Sequence, residues 1–303
     1  MKNSSFVIIV VAMLVISCKN DKPVDNRDSP VQGRIHISVD ETFRPVIEEQ
    51  LRVHKASFPN TDIQVTYESE ADCFRSLQQD STRLVIVARG LTEQEADAYK
   101  KNLSFRPIYG ILAYDAIAVV ISKERKDSFF TLRQLTDMLS GKNPVTVVMD
   151  GLNATSTVRY VKDSLLKGVG FGKNVVGVNG SRAVVKAVKE NPAAIGLVGS
   201  SWVGDLYDRE QQGYLKYINL ARLECVYCEE KDVFAKPSQA TITYGMYPLA
   251  RPMYYVLKEN WPGLGTGFMN FMSMERGQLI FRRAFLAPAK MNFNIRTGKI
   301  KEQ

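Results

Sequence analysis

Three hydroxyls stand together at Thr155-Ser156-Thr157, with Arg159 two residues on. Hydroxyls and a guanidinium donate hydrogen bonds, which is the chemistry an oxyanion asks for. The flanking pattern says where they sit. A β-branched run, Val145 to Met149, reads as a strand. After a loop, Val158, Val161 and Leu165 recur at helical spacing, and Gly168 is placed to stop the helix. The hydroxyls therefore fall at a loop-to-helix junction. There the first backbone N–H groups lack internal partners and carry the positive end of the helix dipole. An ordinary N-cap uses the same residue types, so the tripeptide alone leaves both readings open.

The rest of the chain must place this turn. Arg34 to Val39 alternates as a strand, and Phe43, Ile47, Leu51, His54 and Phe58 mark a helix with Pro45 in its first turn. Strands at Ile63 to Tyr67 and Leu84 to Ala88 follow, with a short helix between them. A capping box then spans Thr92 to Glu95. Strand-helix alternation predicts an α/β chain with a mostly parallel sheet, whose ligands bind beyond the C-terminal strand ends. Those ends carry Ser38 to Thr42, Ser69 and Arg89. Ile117 to Ile121 reads as a buried strand, Thr131 to Leu139 and Ser181 to Val188 as helices, and Ala194 to Gly199 as another buried strand. Leu215 to Leu220 is expected to be a strand and residues 221–240 a mobile polar loop. Met253 to Leu257 is a further strand, and Gly267 to Phe285 a helical segment broken near Gly277.

The N-terminus has a short basic head and an apolar core, Phe6 to Ile16, too short to span a bilayer. It ends in Leu14-Val-Ile-Ser-Cys18, which resembles the lipobox of bacterial lipoproteins, and Cys18-Lys-Asn-Asp-Lys resembles a Bacteroidetes lipoprotein export tag. This implies cleavage after residue 17, lipidation at Cys18 and a polar tether over 18–32. An ordinary signal peptide with an incidental cysteine is the plainer reading. Roughly 270 residues remain to fold, enough for one large domain or two medium lobes. The formal net charge is +8, but no Lys/Arg block of nucleic-acid type occurs, and export argues against nucleic acid. Cys225-Val-Tyr-Cys228 lacks the further ligands that zinc needs; a local disulfide and two free thiols both remain open. With only two histidines, one in a strand and one mid-helix, no Ser/His/Asp set or metal cluster is suggested. His36, between Ile35 and Ile37, is read as facing solvent or a neighbouring strand.

Several short stretches, in order, resemble the substrate-binding proteins of phosphate ABC transporters in their Bacteroidetes lipoprotein form. They are Glu41-Thr-Phe-Arg-Pro45, Ala88-Arg-Gly-Leu-Thr92, Thr155-Ser-Thr-Val-Arg-Tyr160, Asn191-Pro-Ala-Ala-Ile-Gly196 with Trp202, and Tyr247-Pro-Leu-Ala-Arg251. Glu275-Arg-Gly-Gln278 and Leu286-Ala-Pro288 complete the series. The resemblance implies a type II periplasmic binding protein fold: two α/β lobes joined by two crossover strands, with the ligand cleft between them. Lobe 1 would be 33–116 plus 246–303, and lobe 2 would be 117–245. The implied phosphate ligands are Thr42, Phe43, Ser69, Thr155, Ser156 and Thr157, and Ser38 joins the candidates from its place at the end of the first strand. Two departures stand out. Gly151 occupies the place of an arginine that precedes the family's turn, and Arg89 the place of an acidic residue after the third strand. Arg89 and Arg159 are therefore candidates to restore the positive charge. The missing carboxylate would accept the proton of phosphate and so reject sulfate; Asp40, Glu41 or Glu70 could replace it.

The resemblance thus implies a lipid-anchored, monomeric protein of the bacterial envelope, at the periplasmic face or cell surface. It would deliver phosphate or a related oxyanion to an ABC permease or other envelope complex, with no catalytic residues, cofactor or metal. The alternative is a non-transport lipoprotein using the same fold for interaction or sensing.

Overall fold

The computed structural model describes residues 28–290. The expected signal peptide, Cys18, the expected tether as far as residue 27, and residues 291–303 lie outside the described residues.

The first lobe begins β1 (Gly33–Asp40), α1 (Arg44–Ser57), β2 (Thr61–Glu68), α2 (Glu70–Gln78), β3 (Thr82–Val87) and α3 (Glu93–Leu103). Then β4 (Ile108–Ser122) runs into the second lobe. That lobe contains β5 (Phe129–Phe130), α4 (Leu132–Leu139), β6 (Val147–Met149), α5 (Ser156–Val161), β7 (Val175–Gly177), α6 (Ser181–Glu190) and β8 (Ile195–Gly199). It continues with α7 (Arg209–Tyr214), β9 (Ile218–Leu220), β10 (Arg222–Glu224), β11 (Phe234–Ala235) and α8 (Gln239–Thr243). The chain returns through β12 (Ala250–Leu257), α9 (Leu264–Ser273), α10 (Glu275–Arg283) and β13 (Ala287–Pro288).

The main sheet has the order β2-β1-β3-β12-β4-β8-β6-β7. β1 lies parallel to β2 and β3, and β6 parallel to β7 and β8. β4 and β12 are the antiparallel members that tie the lobes together. Their register explains how. The first half of β4, to Ala116, pairs with β12, whereas Ile117 to Ile121 pair with β8. Ile117 to Ile121 are fully buried, because this segment has sheet neighbours and packed side chains on all sides. Tyr247 and Leu249 pack in the core around Ile117 and Val119, while Met253 packs with Leu112 in the other lobe. The second crossing therefore falls at Leu249–Ala250. With each parallel set inside one lobe, the C-terminal ends of β1 and β3 meet those of β6 and β8 across the cleft.

Three expectations change. Leu215 to Leu220 is a turn followed by only the three residues of β9, since α7 occupies the preceding segment. Residues 221–240 are not a loose loop: β10 and β11 form a small sheet with β5, and a Cys225–Cys228 disulfide closes the turn after β10. Strands this short leave no period-2 signature. The terminal helices part at Met274, whose backbone is extended (φ −94°, ψ 173°), not at Gly277. Gly277 serves packing: a Cβ there would stand 2.4 Å from the Met272 Cα. His36 does lie against neighbouring strands, its ring nitrogens 3.0 Å and 2.8 Å from the hydroxyls of Thr82 and Thr66. Asp28, inside the tether expected over 18–32, is already docked on Arg83 at 2.6 Å.

Candidate functional site

The chain leaves β1 at Asp40, which caps the turn leading to α1. One carboxylate oxygen of Asp40, Oδ1, accepts from the Thr42 N–H at 3.0 Å and from its hydroxyl at 2.9 Å. Thr42 and Phe43 are both buried, Phe43 in the core of the first lobe and Thr42 against the second, where its carbonyl accepts from Ser201 Oγ at 2.7 Å. Across the cleft, the loop after β6 carries Asp150, and Thr155 caps α5 by accepting from the Val158 N–H. The hydroxyls of Thr155 and Thr157 donate to the two oxygens of Asp150 at 2.9 Å and 3.0 Å. Ser156 is left facing the other lobe. Its Oγ lies 3.4 Å from Thr42 Oγ1 and accepts from Arg251 Nη1 at 3.0 Å.

Arg251 is the cation at this point, contributed by β12 and only 1% exposed. Its Nε and Nη2 donate to Asp115 Oδ2 at 3.1 Å and 3.0 Å, and its guanidinium lies 5.3 Å from the Phe43 ring centroid. Asp115 Oδ1 accepts from Ser200 Oγ at 2.6 Å. Gly199 permits this crowding, because a Cβ there would meet Thr42 O at 3.0 Å and Arg251 Nη2 at 3.3 Å. Both crossing strands and both lobes thus contribute to one buried polar cluster.

The structure brings Thr42, Phe43, Thr155, Ser156 and Thr157 together at this cluster. Ser38, Ser69 and Arg89 do not join it, each for a local reason. Ser38 donates to Glu68 on the adjacent strand at 2.5 Å. Ser69 caps α2 and donates to Asp72 at 2.5 Å. Arg89 makes a two-pronged pair with Glu95 at 2.8 Å and 2.9 Å and covers the Phe74 ring at 3.9 Å, which fixes it away from the cleft. Arg159 spans the cleft and binds Glu70. Glu70 also accepts from the Ala88 N–H at 2.9 Å, so a carboxylate does reach the end of β3, from α2. Arg251, Asp115 and Asp150 were missed as site residues. The available signal was a charged residue inside an apolar strand: Asp115 in β4 and Arg251 in β12 are fully buried, which charged residues rarely are without a partner.

Burial pushes the Asp40 carboxyl up to about 6, with Arg251 pulling it down and Glu70 adding to the rise. Asp150 is likewise pushed up to about 6 by burial, against the pull of its bonds from Thr155 and Thr157. Asp40 Oδ2 is buried and makes no hydrogen bond of ordinary geometry among the described residues, although the Ser156 hydroxyl lies near enough to pull the carboxyl down. Both oxygens of Glu41 face Ser181, and both of Glu70 are taken by Arg159 and Ala88, so Asp40 keeps the free acceptor. With the Thr42, Thr155 and Thr157 hydroxyl protons given to Asp40 and Asp150, the cluster can donate to an anion through the Ser156 hydroxyl and the remaining N–H groups of Arg251, and accept one proton through Asp40. No group of His, Cys, Asp and Glu side chains suited to a metal ion occurs among the described residues.

The family model of the PBP superfamily domain matches residues 25–275. A phosphate-binding protein PstS of Pseudomonas aeruginosa strain PAO1 is 23% identical over 286 residues, covering 85% of this chain and 84% of the relative. A phosphate-binding protein PstS of Borreliella burgdorferi is 24% identical over 306 residues, covering 92% and 98%. Among solved structures, a Clostridium perfringens substrate-binding protein assigned to phosphate ABC transport, with bound phosphate, superposes with a TM-score of 0.70. It has 20% identity and covers 85% of this chain and 100% of its own. The chain belongs to the PBP superfamily, and its two lobes joined through β4 and β12 are the type II form of that fold.

Proposed function

We propose that this protein is an extracytoplasmic, lipid-anchored solute-binding protein that captures phosphate, or another tetrahedral oxyanion, for an ABC-type uptake system. The observation that carries this reading is Arg251, a buried guanidinium bonded to Ser156 and set behind Thr42 where the strand ends of both lobes meet. The relatives named above as phosphate-binding proteins support the same ligand class. In this account Thr42, Phe43, Ser156, Thr157 and Arg251 surround the anion, and Asp40 Oδ2 accepts the phosphate proton. Lobe 1 is taken as 33–116 plus the chain from 250 onward and lobe 2 as 117–249, the boundary expected at 246 moving to the observed second crossing, and the protein as a monomer that closes around the ligand. Anchoring rests on the Cys18 motif; labelling with palmitate should be lost in Cys18→Ala, and label that persists would sink it.

Calorimetric titration of the mature chain tests the ligand. Phosphate and arsenate should bind once per chain, and sulfate far more weakly, because sulfate has no proton to give Asp40 and would set two acceptors face to face. One observation favours the interaction or sensing alternative: Arg89, Arg159 and Arg251 each already hold a carboxylate. No heat with any of the three anions would select that alternative.

A further inference from the structure

Glu70 and Arg159 belong to different lobes yet form an ion pair across the cleft, outside the cluster around Arg251. Arg159 Nε donates to one oxygen of Glu70 and Nη2 to the other at 3.2 Å, with a further contact to the Ala88 carbonyl at 3.4 Å. The Glu70 side chain is 4% exposed and that of Arg159 33%. Beside them the Ala71 N–H donates to the Ala154 carbonyl at 3.1 Å, so the start of α2 is docked on the loop that precedes α5. Elsewhere along the lobe contact, Glu41 does the same for α6. That helix has no side-chain cap of its own, and Glu41 accepts from the Ser181 N–H at 3.3 Å and from its hydroxyl at 2.8 Å. Trp202 Nε1 and Ser201 Oγ add bonds to the carbonyls of Glu41 and Thr42.

These bonds exist only while the lobes are together, so opening breaks them. We infer that Glu70 and Arg159 form a clasp that holds the cleft shut and sets how long an anion stays inside. They are positioning residues: neither touches the anion, and they act through the closed state. The inference rests on the proposed anion site. It makes a prediction opposite in sign to simple electrostatics. Removing the charge of Glu70 should favour an anion if proximity alone mattered, and should also free Arg159 to bind it. As a clasp residue, its loss should speed release instead.

The test is stopped-flow release of phosphate from Glu70→Gln, Arg159→Met and the double variant, with small-angle scattering on each without ligand. A charge-assisted bond to a buried partner predicts release roughly ten- to a hundredfold faster in each single variant, with association little changed. The double variant should be no faster than either single, since both remove one interaction. The ligand-free variants should show a larger radius of gyration than the parent. Unchanged or slower release in Glu70→Gln overturns the clasp. So does weakening confined to Arg159→Met, which would make Arg159 an anion ligand. If the parent binds no phosphate, the proposed function fails and scattering alone decides: an unchanged radius in both variants overturns the clasp, and a larger one upholds it.

Discussion

The hydroxyl oxygens of Thr42 and Ser156 lie 3.4 Å apart although 114 positions separate them in the chain. One follows β1 in the first lobe; the other opens α5 in the second. Ser156 also receives Arg251, which is tied to Asp115 in β4. Lobe approach and assembly of the polar cluster are therefore one event.

The pair of Arg251 and Asp115 should dominate stability at the crossing. Arg251→Met strands a buried carboxylate, and breaking such a pair costs roughly 3–5 kcal/mol. Thermal melting should fall sharply, and Asp115→Asn added to Arg251→Met should recover part of the loss. Equal melting temperatures for the parent and the single variant would show the pair to be energetically idle.

Arg89 should be irrelevant to the anion. Arg89→Ala removes a partly exposed pair with Glu95, whose carboxyl that arginine holds down at about 2. The stability loss should be about 1 kcal/mol or less. Phosphate affinity should stay within about threefold of the parent; a larger drop would return Arg89 to the site.

The contrast between these arginines shows how far the sequence could be read. The alternation of strands and helices and the cap at Thr155 follow from local pattern, the approach of Thr42 to the hydroxyl turn is implied only by the family resemblance, and the structure has all three. What a guanidinium binds does not follow, because it depends on which carboxylate the fold brings near. Arg89 found Glu95 six residues away, and Arg159 found Glu70 across the cleft. Arg251 lay unnoticed in a motif at a crossing strand, where tertiary register and not spacing gives it Asp115 and Ser156. The same limit explains the small sheet of β5, β10 and β11, whose strands are too short to carry a periodic signal.

Asp40 should make stability depend on pH in a definite direction. Its carboxyl is raised from 3.8 to about 6 on folding, so the folded state favours the protonated form. That contribution is fully present below the unfolded value and is lost as pH rises through about 6. Asp40→Asn cannot ionise, so it should gain on the parent by on the order of 2–3 kcal/mol at about pH 7.5 and by only about 1 kcal/mol at about pH 4.5. Urea unfolding of both proteins at the two pH values checks this; a difference that does not move with pH would contradict it.

Asp40→Asn should also change selectivity. The parent's preference for phosphate over sulfate should shrink by roughly tenfold or more, since the variant no longer penalises the unprotonated anion and can donate to it. Competition titration of phosphate against sulfate reads the ratio directly. An unaltered ratio would remove Asp40 from the acceptor role.

The position of the anion is the central claim, and anomalous scattering from arsenic in crystals grown with arsenate locates it without inference. The account predicts a single strong peak between the lobes, with arsenate oxygens within hydrogen-bond distance of Thr42 Oγ1, Ser156 Oγ and the Arg251 guanidinium. A peak against Arg89, or none between the lobes at saturating arsenate, would contradict it.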